Sequence, residues 1–384
     1  MKKSFLLAAF AGILLAGCTS DEQTEVATSR TDNPIVFNSP IVNAQTRAVA
    51  GEQPVNGKYS TSEKFCVYAV QHIGDFLGWE NGTQLYLNNL EVSYRASIAG
   101  TTKGGWAPSD PIYWPKTENA KLTFAAYSPS EASQFTHEYN RSGLSLTGFT
   151  PKANVADQYD LMYSSRSYNR NASTNELTGT GHTTNSYDGV DILFHHALSS
   201  INFKAQTAAI YPNTEIKIQK ITINNAYTTA DFKENITNED VDNFQSAPYW
   251  SNFQTPTDYV VYNNNSETPA LSTTATDLGS PALLIPQKMN GEDASSPAQA
   301  QKIKVTVNYT IKVGDGTAVA QTGVVSFVDG NHGDYFTDGT NKIEAWEMGK
   351  RYTYTISIGL NNIIYFSPEV DEWKNINAED NINI

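Results

Sequence analysis

The chain has 384 residues and a formal net charge of −14, and 17% of its residues are charged. This length accommodates two or three domains, and a hydrophobic fraction of 39% is enough for packed cores. The acidic charge argues against nucleic acid or anionic lipid as the main partner, because both carry negative charge themselves.

The first residues have the pattern of a bacterial export signal. Lys2 and Lys3 precede an uncharged apolar run at 5–16, which is shorter than the about 20 residues that span a bilayer. The run ends in Leu15-Ala16-Gly17-Cys18, which resembles the lipobox of bacterial lipoproteins. We therefore predict a signal peptide at 1–17 and lipid attachment at Cys18, which would anchor the protein to a membrane. A plain secretory signal that contains a cysteine is the alternative.

Residues 18–47 combine an apolar stretch with an isolated arginine. The stretch PIVFNSPIV at 34–42 is strand-like, and Arg47 follows it among small residues in AQTRAVAG. Its apolar side chains, which would pack as a strand, are Ile35, Val36, Phe37, Ile41 and Val42. Arg47 is either an ordinary linker residue or a place where the chain is cut, and the residues alone leave both readings open.

The rest of the chain is dominated by strand patterns separated by Asn, Gly, Asp and Pro clusters. KIKVTVNYTIKV at 302–313 and YTYTISIGL at 352–360 alternate apolar and polar residues, which predicts half-buried antiparallel strands. In DILFHHALSSINFKA at 191–205 the apolar phase changes between Leu198 and Ile201. Such a change indicates a bulge or a strand that passes between sheets.

These patterns predict an all-β protein with two tandem antiparallel β-sandwich domains and few short helices. The polar stretch 164–189 is the expected domain boundary. We therefore assign an N-terminal sandwich to 48–188 and a C-terminal sandwich to 189–384. They are preceded by the signal peptide and by a lipidated propeptide at 18–47 that contains the removable strand.

No residue pattern indicates catalysis or a cofactor. Cys66 lies in the apolar run KFCVYAV and is expected to be a buried, inert thiol without a disulfide partner. His195 and His196 are neighbours, so on a strand they point to opposite faces and do not share a metal. The loop at 329–341 carries aspartates that suit calcium, although Asp-Gly turns of this kind are common without it. We predict no enzyme activity, no cofactor and no metal site.

Two tryptophans are candidates for glycan stacking. Trp106 lies in the glycine-rich stretch KGGWAP, and Trp79 lies in a polar stretch. An exposed aromatic ring can stack on the C–H face of a sugar. The alternative for both is packing in a core.

Several segments together resemble the fimbrillin family, the subunits of type V pili in Bacteroidales. They are spread over nearly the whole chain and include the lipobox at Cys18, TRA at 46–48, LTFAAYSP at 121–128, LFHHALSSINF at 193–203, LLIPQ at 283–287 and the stretch from Trp346 to YTYTI at 352–356. Their order and spacing carry the resemblance.

The resemblance implies transthyretin-like sandwiches in a pilus subunit. Such a subunit reaches the outer membrane and the cell surface as a lipoprotein and is cut by an Arg-specific protease. The bond that matches is Arg47-Ala48, and the removed piece would include the strand-like residues at 34–42. The implied partners are other pilus subunits, the processing protease and an adhesion ligand that the sequence does not identify. Nucleic acid is not among the expected partners. A surface glycan-binding lipoprotein that never polymerises is the alternative function.

Overall fold

The computed structural model of the protein describes residues 34–43, 56–74, 84–98, 104–140, 142–172, 189–238, 245–246, 248–254, 256–264, 269–291, 302–327, 337–338, 341–360 and 364–373. Among the described residues the only helices are two short 3₁₀ turns, Ser130–Gln134 and Val155–Asp157. None of the helices in these ranges is long and apolar enough to cross a membrane. The prediction of an all-β fold with few short helices is therefore confirmed.

The residues that the structure describes form twenty-eight strands. In chain order they are β1 (Ile41–Asn43), β2 (Asn56–Lys58), β3 (Lys64–Ile73), β4 (Gln84–Arg95), β5 (Gly105–Ala107), β6 (Ala120–Ser128), β7 (Thr136–Asn140), β8 (Gly143–Phe149), β9 (Met162–Ser165), β10 (Ser167–Asn171), β11 (Leu193–His196), β12 (Ser199–Thr207), β13 (Thr214–Ala226), β14 (Ala230–Lys233), β15 (Ile236–Asn238), β16 (Gln245–Ser246), β17 (Tyr249–Ser251), β18 (Thr257–Asn263), β19 (Thr276–Asp277), β20 (Ala282–Leu284), β21 (Gln287–Lys288), β22 (Lys304–Val313), β23 (Val319–Ser326), β24 (Thr337–Asp338), β25 (Asn341–Lys342), β26 (Ala345–Trp346), β27 (Lys350–Ile358) and β28 (Ile364–Glu372).

The largest sheet, which we call the first sheet, has the order β2-β1-β11-β9-β6-β3-β4-β5, and β10 also pairs with β6. Its inner strand β3, between β6 and β4, is buried on both faces. Phe65 and Val67 belong to one core, whereas Cys66 and Tyr68 belong to another. Because successive side chains of a strand point to opposite faces, the unbroken apolar run of β3 requires cover on both sides.

A small sheet with the order β17-β14-β8-β7 supplies residues to the second of these cores. Strand β8 comes from the N-terminal half of the chain and pairs with β14 from the C-terminal half. Strand β11 also lies beyond residue 189, yet it pairs with β9 in the first sheet. Strand pairing therefore crosses the boundary that the sequence suggests at 188/189, and the two-domain division stays a prediction.

The C-terminal part forms a sandwich of two further sheets. One has the order β19-β12-β27-β28, with β20 paired to β12, and the other has the order β18-β13-β22-β23. On β22, Val305, Val307 and Tyr309 are fully buried while Val313 is 61% exposed. The predicted alternation at 302–313 is thus confirmed over most of its length and ends where the strand leaves the core.

The phase change at 191–205 marks the passage of the chain from one sheet to another. Phe194 on β11 packs in the core under the first sheet, and Ile201 and Phe203 on β12 pack in the C-terminal sandwich. Strand β12 pairs in parallel with β27, and β1 pairs in parallel with β11. These two parallel pairings depart from a purely antiparallel sandwich. Parallel strands need a crossover connection of about a dozen residues or more. The strands of both pairs are far enough apart in sequence to provide it.

Cys66 is 3% exposed, so the predicted burial of this thiol is confirmed. It lies on the face of β3 that carries Tyr68 and Val70. Burial is the main cause that raises the pKa of the Cys66 thiol to about 11. A thiol in this environment is a poor nucleophile, because the thiolate is the reactive form.

We expect Cys66 to resist alkylation in the folded protein. At pH 8, iodoacetamide should leave the folded chain from Thr19 onward unmodified and should add one label in urea, as intact mass would show. Labelling at equal rates with and without urea would contradict the burial of this side chain.

His195 and His196 point to opposite faces of β11, as adjacent strand residues do. The His195 ring stacks on Tyr163 with ring centroids 5.4 Å apart, and the His196 ring stacks on Trp373 at 4.0 Å. Burial, assisted by the neighbouring His196, lowers the pKa of His195 to about 4. The unfolded chain therefore binds a proton at His195 between pH 6.5 and about 4, whereas the folded chain does not.

Acidification should consequently destabilise the protein through His195. The contribution of neutral His195 to the free energy of unfolding is complete above pH 6.5 and is lost as the pH falls towards 4. Its upper limit is about 3 kcal/mol. Burial also lowers the pKa of His137, so the informative quantity is the difference between wild type and His195→Gln. Urea unfolding at pH 7.5, 6, 5 and 4.5 should show a shallower decline for the variant. Parallel curves would refute this role of His195.

Candidate functional site: the N-terminal segment

Residues 34–43, which we call the N-terminal segment, pack into the first sheet. Ile35 is 1% exposed, and Phe37 and Val42 are each 2% exposed. Val36 is half-buried on the opposite side, and Ile41 is 42% exposed. Of the five apolar residues that the sequence assigns to a packed strand, three therefore face the core and two face away from it.

The backbone of the N-terminal segment is hydrogen-bonded on both sides. On one side the Ile35 amide donates to the Ile112 carbonyl at 2.6 Å, and the Phe37 amide donates to the Trp106 carbonyl at 2.8 Å. On the other side the Val190 amide donates to the Val36 carbonyl at 2.8 Å. The segment thus lies between two parts of the sheet and is not at an edge.

These contacts close the first sheet on itself. Trp106 belongs to β5, which ends the strand order on one side, and Val190 leads into β11 near the other side. Phe37 forms a bridge with both Trp106 and Val190. Further along, Val42 on β1 pairs with Phe194 in parallel and with Gly57 in antiparallel direction. The N-terminal segment consequently spans the gap between two parts of the sheet that do not pair with each other directly.

Phe37 supplies the largest side chain of the N-terminal segment to the core. Its ring makes edge-to-face contacts with Phe65 at 5.7 Å and with Phe124 at 5.8 Å between ring centroids. Tyr59, which follows β2, packs beside them with its ring 5.1 Å from that of Trp106. Such aromatic pairs add to the stabilisation from apolar burial.

Trp106 is 2% exposed, and its backbone pairs with Phe37. The expectation of an exposed glycan-stacking ring at Trp106 is wrong for this structure, because the tryptophan completes the aromatic core beneath the N-terminal segment. Trp79, the second candidate, lies outside the described residues.

The predicted processing residues also fall outside the described ranges. Cys18, Arg47 and Ala48 are not among them, and the N-terminal segment ends at Asn43, four positions before Arg47. In the part of the chain that the structure covers, no group of three or more His, Cys, Asp or Glu side chains is arranged to hold a metal ion. Most of the aspartate-rich loop at 329–341 lies outside that part.

The fold and the site together define an all-β protein whose first sheet is completed by a segment from the N-terminal end of the chain. A family model described as fimbrillin-like matches residues 46–373. The chain therefore belongs to the fimbrillin-like family. The match begins after the N-terminal segment, next to Arg47.

Solved structures with similar folds include a fimbrial protein from Bacteroides vulgatus. It is 19% identical, has a TM-score of 0.54, and the alignment covers 88% of this chain and 100% of that one. This similarity supports the fold alone. A candidate cell adhesion protein from Parabacteroides distasonis is 11% identical with a TM-score of 0.43 and coverage of 88% and 100%. The tip fimbrial protein Mfa3 from Porphyromonas gingivalis, truncated at its C-terminus, is 10% identical with a TM-score of 0.36 and coverage of 88% and 99%. No curated protein matches the chain.

The substitution Phe37→Ala should destabilise the uncleaved protein by about 3 kcal/mol, because it leaves a cavity between Phe65 and Phe124. Val36→Ala is the matched control, since Val36 is adjacent but faces away from this core, and it should cost less than about 1 kcal/mol. Urea unfolding of the chain from Thr19 onward measures both values. Equal costs would show that the N-terminal segment does not hold the orientation described.

Proposed function

We propose that this chain is a subunit of a cell-surface pilus that assembles by cleavage at Arg47-Ala48 and strand exchange. In this proposal the chain is exported as a lipoprotein, and the lipid attached to Cys18 anchors it to the outer membrane. An Arg-specific protease then separates the N-terminal segment from the rest of the chain. The observation that carries the proposal is the two-sided pairing of residues 34–43 in a member of the fimbrillin-like family.

Loss of the N-terminal segment would create a binding groove for another strand. The Trp106 and Val190 amides and the Ile112 and Ile192 carbonyls bond to the segment and would lose these partners. An extended strand from a neighbouring subunit restores such bonds directly, which is the basis of β-strand addition.

The groove would also be apolar. Ile35, Phe37 and Val42 cover Phe65, Trp106 and Phe194 among others. Each buried side chain of this size contributes about 1.5–3 kcal/mol when it leaves water. An incoming strand with apolar residues at the positions of Ile35, Phe37 and Val42 would regain that contribution, whereas an empty groove would expose the aromatic core.

Cleavage would act as the switch for assembly. While the segment is covalently attached, it competes with any foreign strand at a high effective concentration. After cleavage it dissociates without that advantage. The same geometry is compatible with assembly among copies of this chain and with assembly on related subunits.

The test uses the chain from Thr19 onward, treated briefly with trypsin. Intact mass should show a cut after Arg47, and heat-sensitive ladders should appear on SDS gels as subunits exchange strands. Arg47→Ala should abolish both the cut and the ladders. Arg30→Ala is the control, because it removes the other arginine of the 18–47 segment and should leave assembly intact.

Two outcomes would contradict the proposal. Ladders from the Arg47→Ala variant would show that cleavage at this bond is not required. A clean cut at Arg47 without ladders would contradict assembly among copies of this chain. Glycan arrays would then be the relevant assay for the alternative, a surface lipoprotein that binds glycans and does not polymerise.

A further inference from the structure

The Asn38 side chain occupies a polar site at the middle of the N-terminal segment. Its Nδ2 group donates to Asp191 Oδ1 at 2.6 Å and to the Gly189 carbonyl at 3.4 Å. The Asn38 backbone amide also donates to the Val190 carbonyl at 3.0 Å. We call the Gly189 carbonyl and the Asp191 carboxylate the amide site.

Gly189 is adapted to this close approach. Its φ angle is +115°, and a Cβ atom on Gly189 would lie 2.5 Å from Asn38 Oδ1 and 3.0 Å from the backbone nitrogen of Asn38. Any other residue would have a strained backbone and would collide with the carboxamide. The chain before β11 is therefore shaped around the side chain at position 38.

Asp191 is held from the interior of the protein. Its Oδ2 accepts a hydrogen bond from Arg170 Nη2 at 2.9 Å, and the Arg170 side chain is only 2% exposed. Arg170 Nε in turn donates to Ser167 Oγ at 3.0 Å. Because the guanidinium engages one carboxylate oxygen, the other is directed at the N-terminal segment, where it accepts from Asn38.

Apolar alternation by itself does not fix the register of a strand in this groove. A slip of one residue turns the apolar side chains away from the core and is strongly opposed. A slip of two residues returns apolar side chains to the same face, so burial discriminates against it only weakly. A polar site that accepts one side chain at one position removes this ambiguity.

We propose that the amide site sets the register of the strand that occupies the groove and selects the strand by its side chain there. The partner is an extended strand of a neighbouring subunit with a hydrogen-bond-donating side chain, such as a carboxamide, directly after the apolar residue that replaces Phe37. An aspartate at that position is rejected by Asp191. This inference rests on the proposed function for its partner, but its geometry is already present in the uncleaved chain.

A double-mutant cycle in the uncleaved chain tests the contact itself. Asn38→Asp places two carboxylates against each other, and Asp191→Asn in the same chain removes the repulsion and restores a donor and an acceptor. The two changes together should be less destabilising than their sum by about tenfold in the unfolding constant, which corresponds to about 1.4 kcal/mol. Additive effects in urea unfolding would overturn the role of the amide site.

Peptide exchange tests the selection of a partner. The probe is a fluorescein-labelled peptide of residues 34–43, incubated in excess with the trypsin-cleaved chain and followed by anisotropy. The peptide with Asn38→Asp should bind about tenfold more weakly than the wild-type peptide, and Asp191→Asn in the subunit should remove the difference. Ser39→Asp in the peptide is the control, because Ser39 is exposed and a charge there should have little effect.

The outcomes separate this inference from the function on which it rests. If the wild-type peptide binds and Asn38→Asp binds equally well, the amide site does not select. If Asn38→Asp and Ser39→Asp weaken binding to the same extent, general repulsion by the acidic subunit accounts for the loss and the inference is wrong. If even the wild-type peptide does not exchange, strand exchange is overturned, while the cycle in the uncleaved chain still decides the role of Asp191.

Discussion

The structure depends on the two-sided backbone pairing of residues 34–43. A strand at the edge of a sheet leaves one row of amides and carbonyls unpaired, and solvent or another strand must satisfy them. Here the N-terminal segment bonds to Trp106 and Ile112 on one side and to Val190 on the other. One short stretch of chain therefore removes two edges at once and covers the aromatic core that includes Phe65 and Phe124. Removal of this stretch would therefore leave both edges unpaired and would expose this core.

The same segment is connected to the rest of the molecule through β11. This strand pairs with β1 in the first sheet, and the chain continues directly into β12 of the C-terminal sandwich. At the passage between the two sheets, Trp250 Nε1 donates to the Ala197 carbonyl at 2.9 Å, and the Gly349 amide donates to the Leu198 carbonyl at 3.0 Å. The stacking of His196 on Trp373 lies at the same place. Hydrogen bonds and ring contacts from several elements thus fix this passage. They hold β11, the strand that pairs with β1, in place.

Apolar burial and polar contacts have different roles in this site. Ile35, Phe37 and Val42 supply most of the free energy that holds the N-terminal segment in the first sheet, because this free energy scales with the apolar area removed from water. Apolar burial has no preferred direction. The contact between Asn38 and Asp191 is exposed to solvent and contributes less to stability, but it depends on position and on charge. In the proposed exchange, a strand of similar hydrophobicity in another register would keep the apolar contribution and would lose the contact with Asp191. Specificity can therefore arise from a contact that contributes little to the total stability.

The sequence by itself determined the local features. Alternation at 302–313, the change of phase between Leu198 and Ile201, and the apolar run around Cys66 all follow from side-chain patterns within one strand, and the structure confirms them. The tertiary structure decided which residues meet. Phe37 pairs with Trp106 and with Val190, and no local pattern encodes partners so distant in the chain. For that reason the sequence did not separate Ile35 and Phe37, which face the core, from Val36 and Ile41, which do not. It also left Trp106 open between an exposed platform and a core residue, because a ring in a glycine-rich stretch is buried only when another strand covers it.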